Sequence, residues 1–145
     1  MSGPTNPIEV YFDKGQWGWD GTLWRKLNLT WGYNDRLFDQ TVNADCAAGD
    51  VTLNHTAVPT GGVWVVTGAS VYASYAEGTH YLRANFGGTT AIVYNYGTLG
   101  AGVYSATPPL NIVLKAGDFL YDIWIAAPLH AVVVSNIWGY EMKVA

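Results

Sequence analysis

The sequence has little charge, one cysteine and no apolar run long enough to span a bilayer. Of its 145 residues, 12% are charged, about half the usual share. The Lys and Arg number 7 and are scattered, with only Arg25-Lys26 adjacent, and the net charge is -4. A protein that grips a nucleic-acid backbone needs a basic face, so nucleic acid is not an expected partner. No polybasic cluster is present for an anionic membrane surface, and no membrane partner is expected either. Cys46 alone permits no intrachain disulfide and reads as a small inert or semi-exposed thiol. The first residues, Met-Ser-Gly-Pro-Thr-Asn-Pro, have neither the charged nor the apolar part of a secretory signal, so synthesis in a cytoplasm is expected. Two glycosylation sequons, at Asn28 and Asn54, are then coincidental.

Recognisable catalytic spacing is also missing. His55, His80 and His130 fall in no metal-ligand spacing, so neither metal nor cofactor is expected. His130, grouped by alternation with Val132, Val134, Asn136 and Trp138, reads as a packed or rim histidine. No serine sits in a Gly-x-Ser-x-Gly elbow. The glycines at 97, 100 and 102 read as a loop, without the lysine of a phosphate cradle. Asp118 reads as a turn residue bonding local backbone. Asp122 is odder, because alternation puts it on one face with Leu120 and Trp124. No second carboxylate can be placed opposite it, and no enzymatic activity is expected.

What remains is a chain rich in strand signals and aromatic rings. Aromatics make up 14%, with 7 Trp and 10 Tyr, and Gly numbers 17. A domain of this size has limited interior for so many large rings, so some must lie on subunit contacts or ligand platforms. No helical periodicity of useful length occurs. Short strands are expected over residues 8–12, 23–31, 37–42, 51–55, 63–75, 79–86, 91–96 and 103–105, the sixth closed by the hairpin signal Gly87-Gly88. The stretch 108–144 organises the rest. Its runs 110–114, 119–126 and 129–138 are separated by Lys115-Ala116-Gly117-Asp118 and by Ala127-Pro128, and they predict an antiparallel meander. Many short antiparallel strands in one domain give an all-β sandwich, jelly-roll-like, with an extended N-terminal arm. Residues 1–50 form the Trp-rich arm and first strands, and 51–145 the sandwich core. The strongest non-core signal is Tyr11, Trp17, Trp19, Trp24, Trp31 and Tyr33 with Arg36. Such residues stack on sugars or anchor interfaces.

Three segments carry a resemblance. Val58-Pro59-Thr60-Gly61-Gly62-Val63-Trp64-Val65-Val66-Thr67 resembles the VPxGxxWxVT strand of small jelly-roll proteins of tailed bacteriophage particles. Residues 110–120, with Lys115-Ala116-Gly117-Asp118, resemble their L-x-AGD-x-L strand and turn. Residues 130–141 resemble their closing strand, with Asn136-Ile137-Trp138 inserted before Gly139. The likeness covers about residues 58–141; the Trp-rich first part has no counterpart. It implies a virion structural protein, of head decoration or tail and fibre accessory type. Expected partners are further copies of the chain, as a homotrimer, and a major capsid protein or other virion component. The alternative is a glycan- or receptor-binding module of a phage tail or fibre. A cupin-type enzyme would need clustered His and Glu.

Overall fold

A computed structural model describes residues 17–19, 24–26 and 36–143. The chain runs β1 Trp17–Trp19, β2 Trp24–Lys26, β3 Arg36–Asn43, β4 Gly49–Asn54, β5 Gly62–Ala73 and β6 Glu77–Phe86. It continues with β7 Thr89–Leu99, β8 Val103–Ala106, β9 Ile112–Lys115, β10 Phe119–Ala127 and β11 Val133–Lys143. β1 and β2 pair as an antiparallel hairpin, with Trp19 opposite Trp24. The other strands form two antiparallel sheets, ordered β4-β10-β6-β7 and β3-β11-β5-β8, with β9 also on β5.

β8 and β9 fill one strand position in succession. β8 pairs with residues 70–73 of β5 and β9 with residues 63–66. Pro108 and Pro109 lie between them and lack the N–H a ladder needs. The backbone there is held by Thr107 and Leu110, whose N–H groups donate to Ala69 and Thr67 carbonyls at 2.9 and 2.8 Å. Among the described residues these two sheets therefore have eight strand positions, four per sheet, and the chain changes sheet at most connections from β3 to β11. This is the strand order of a jelly roll, as the sequence predicts.

The predicted meander is not formed. β9, β10 and β11 follow one another in sequence but lie in alternate sheets, and none pairs with the next. Alternating hydrophobicity marks strands without naming their partners, and a turn such as Lys115–Asp118 serves a crossover as well as a hairpin. The last strand also begins later than predicted. Leu129 and His130 form a turn, with His130 at φ 65°. His130 thus leaves the strand face assigned to it and pairs instead with exposed Asp45. β7 extends through Gly97 to Leu99, so the predicted loop 97–102 shrinks to a turn at its end. The Gly87-Gly88 hairpin forms as expected, with φ 57° and 92°, where a side chain would be strained. The predicted strand at residues 8–12 lies outside the described residues.

The core has two apolar parts. One gathers Leu37, Trp64, Leu82, Leu114, Leu120 and Ile137. The other gathers Cys46, Val71, Leu99, Trp124, Ala131 and Val133. On β10, Asp122 lies between Leu120 and Trp124; on β11, Ser135 lies between Ile137 and Val133. A polar layer thus separates the two parts.

Candidate functional site

The polar layer contains Glu77, His80, Asp122, Ser135 and His55, all buried. Strand alternation turns Asp122 inward from the four-stranded sheet and Ser135 inward from the five-stranded one. His55 follows the inward Val51 and Leu53 of β4. Glu77 and His80 are three residues apart, which places them on opposite faces of a regular strand. An irregularity in the β6–β7 ladder between Glu77 and Thr79 inserts Gly78 and brings both side chains inside.

The contacts are continuous. His80 Nδ1 lies 3.0 Å from Glu77 Oε2, and His80 Nε2 2.9 Å from Asp122 Oδ1. Ser135 Oγ donates to Asp122 Oδ2 at 2.5 Å, and His55 Nε2 lies 2.7 Å from the same Oγ. Glu77 Oε1 accepts the Ile125 N–H at 2.6 Å. Among the described residues, His55 Nδ1 has no partner within hydrogen-bond distance; it faces Asp39 Oδ2 at 3.6 Å. That carboxylate oxygen accepts the Thr56 N–H at 2.7 Å.

These distances assign the protons. With Asp122 ionised, Ser135 gives its hydrogen to Oδ2, so its oxygen must accept from His55 Nε2–H. Neutral His55 then has a bare Nδ1. His80 faces a carboxylate oxygen at each ring nitrogen, and both are satisfied as donors only in the imidazolium form. Burial opposes that charge, but the hydrogen bonds and charges of Asp122 and Glu77 outweigh it and raise the His80 pKa. For His55 burial prevails over Asp122 and Asp39, and its pKa is lowered. The pKa values of two buried histidines in one network are thus shifted in opposite directions.

Ser135, His55 and Asp39 stand in the order of nucleophile, base and acid. The Ser135 hydroxyl is fully buried between the sheets and already donates to Asp122. Among the described residues its hydrogen bonds join the two sheets. Asp118 is the turn residue the sequence predicts: its carboxylate accepts from Lys115 N at 2.9 Å and Gly87 N at 3.0 Å. Cys46 is buried, which pushes its thiol pKa up.

The two outer faces differ. On the five-stranded sheet, one register row is Phe38, Trp138 and Gly68; another is Val42, Val134, Tyr72 and Tyr104. Phe38 is 62% exposed, Val42 52% and Tyr104 55%. The Tyr72 and Tyr104 rings lie 4.9 Å apart. On the four-stranded sheet, Asn54, Tyr121, Arg83 and Ile92 form a row across all four strands. Arg83 lies over the Tyr81 ring, 5.4 Å from its centre, and its buried Nη1 has no partner among the described residues. A shallow groove of about 410 Å³ is lined by Arg83, Thr90, Ala91, Ile92 and Tyr121.

Of the residues singled out from sequence, Trp17, Trp19 and Trp24 lie in the β1–β2 hairpin, and Arg36 begins β3 opposite Tyr140. Tyr11, Trp31 and Tyr33 lie outside the described residues. Sequence reasoning missed the network of Glu77, His80, Ser135 and His55. Its one signal was the inward placement of Asp122.

The described strands define the class of an antiparallel jelly roll. No protein-family model matches the chain, and no curated protein matches it. Among solved structures, a chain of the cyanophage Pam1 capsid asymmetric unit is similar at 17% identity and a TM-score of 0.49, over 80% of this chain and 92% of that one. A chain of the infectious bursal disease virus Gx strain is similar at 13% identity and a TM-score of 0.31. That match covers 90% of this chain and 42% of the viral one.

Proposed function

We propose that the chain is a non-enzymatic virion structural protein, an oligomeric capsid decoration subunit held to its neighbours by strand and arm contacts. The carrying observation is the outer face of the five-stranded sheet. Phe38 and Val42 stand exposed on β3, an edge strand, and their rows continue inward through Trp138, Val134 and Tyr72. An apolar face ending at a strand that is an edge among the described residues suits a subunit contact, and edge strands invite a partner chain. The occupant is a second copy of the chain, arranged as a closed trimer. The bacteriophage-like segments support the virion setting: they fall on β5, on β9 with β10, and on β11, which build this sandwich. The polar groups that resemble catalytic machinery are consumed by structural bonds.

The test is solution mass by light scattering on the full chain and on Phe38→Lys with Val42→Lys. The expected result is a trimer that dissociates in the double variant while its fold, read by circular dichroism, is kept. A monomeric full chain overturns the reading. Binding of the trimer to phage capsid shells then tests the decoration role.

The Arg83 row favours a second reading, a glycan-binding face on the four-stranded sheet. Tyr121 and Tyr81 supply flat rings, and Arg83 supplies a planar donor for a carboxylate. The expected result is binding of acidic sugars on a glycan array that Arg83→Met removes. An array without hits overturns it.

A further inference from the structure

We propose that the buried chain Glu77–His80–Asp122–Ser135–His55–Asp39 is a pH-set latch between the two sheets, closed at neutral pH and released by protonation of His55. One end of the chain lies beside a surface groove and the other is partly exposed. Glu77 lines a surface groove of about 540 Å³ together with Tyr75, Ile125 and Pro128. Asp39, at the other end, keeps 19% of its side chain exposed. Among the described residues, two side chains of the five-stranded sheet meet this layer: Ser135 on β11, bonded to Asp122 and His55, and Asp39 on β3, which faces His55.

The open position in the chain is His55 Nδ1. A solvent proton arriving at Asp39 has that lone pair 3.6 Å away. Once protonated, His55 is an imidazolium with its body in the core and its nearest carboxylate outside it, on β3. The charge is relieved when the ring swings toward Asp39 and water. That motion breaks the His55–Ser135 bond, so the β4 end exchanges its tie to β11 for an ion pair with Asp39 on β3. The charged groups facing His55 are Asp39 on β3 and Asp122 on β10. Those facing His80 are Glu77 on its own strand and Asp122. The Tyr96 phenol on β7 lies beside His80, its ring centre 5.8 Å away, and burial raises its pKa so that it stays neutral.

The two histidines act in opposite windows. His55 has a lowered native pKa. Above the unfolded value, about 6.5, both states are neutral there; as pH falls, the unfolded chain takes up a proton that the native one refuses, and stability is lost. His80 has a raised native pKa. Its contribution is complete below about 6.5 and is lost as pH rises through the native value. The latch is internal to one subunit and does not depend on the virion reading.

The test has two parts on the full chain. The first is a pH titration of the imidazole nitrogens by NMR, with a free histidine peptide in the same sample as reference. His55 should stay in the neutral Nε2–H form after the peptide has charged, and His80 should stay doubly protonated after the peptide has become neutral. The second is urea unfolding between about pH 6.5 and 5, a window bounded by the ordinary His and carboxylate values. The unfolding constant of the native sequence should rise as pH falls, with a slope of up to roughly tenfold per pH unit, that of one proton. His55→Gln should remove this slope. Titration of His55 together with the reference peptide, or an unchanged slope in His55→Gln, overturns the proposal. Should His55→Gln not fold, the titration of the unaltered protein decides alone.

Discussion

Ser135 and Gly139 lie four residues apart on one strand, and each is held to its side-chain size by its surroundings. Ser135 supplies the one hydroxyl that bridges His55 and Asp122. Ser135→Ala leaves both partners buried with an unmet hydrogen bond. A loss of about 1–3 kcal/mol follows from the desolvation cost of such groups, readable in the urea midpoint at pH 7. Gly139 sits where a Cβ would meet the Val65 carbonyl oxygen at 2.0 Å. Gly139→Ala must push β11 away from β5, and overpacking of this kind costs about 1–3 kcal/mol. Only part of this was legible. Asp122 stood out because a carboxylate alternating with Leu120 and Trp124 faces a core. Glu77 and His80 did not, because their shared direction depends on the irregularity at Gly78, and a period of two assigns them to opposite faces. Ser135, in a run of Val and Ile, looks like any small strand residue until Asp122 is placed across the sandwich from it.

Element positions were easier to read than element partners. β5, β6 and β10 lie close to where alternation puts them, and Gly87-Gly88 closes its hairpin because two successive positive-φ positions leave few other residues available. Pairing was not legible in β9, β10 and β11. Whether a strand bonds to its sequence neighbour or crosses to the other sheet depends on which apolar faces meet across the core, and each strand carries the same pattern. The topology makes its own prediction. β5 and β11 are central and pair along eleven positions, whereas β8 is a four-residue edge strand. Local opening takes edges first. In hydrogen exchange, the amides of Val71 and Ile137 should open only with global unfolding, and those of Val103–Ala106 well before it. Uniform protection of β8 and β11 would show that another chain covers the β8 edge.

At the scale of the whole molecule, the question is where the folding unit begins. The sequence reading divides the chain near Asp50, with a Trp-rich arm and first strands before it. The described strands make that a poor place to cut, because β3 pairs with β11 along eight positions from Arg36 to Asn43. Leu37 is buried in the core, and Asp39 closes one end of the polar layer. A chain starting at Asp50 would strip an edge from the five-stranded sheet and expose β11, so it should aggregate or melt early. A chain starting at Arg36 keeps every described residue of both core clusters and should unfold in a single cooperative transition. Comparing the two by thermal melts and light scattering separates the roles of the first part. If the Arg36 form folds but is monomeric while the full chain is trimeric, residues 1–35 hold the subunits together. If it folds and remains a trimer, the contact lies on the sandwich itself, on the face of Phe38 and Val42. If it does not fold, residues 1–35 are part of the folding unit, and a separable arm is ruled out.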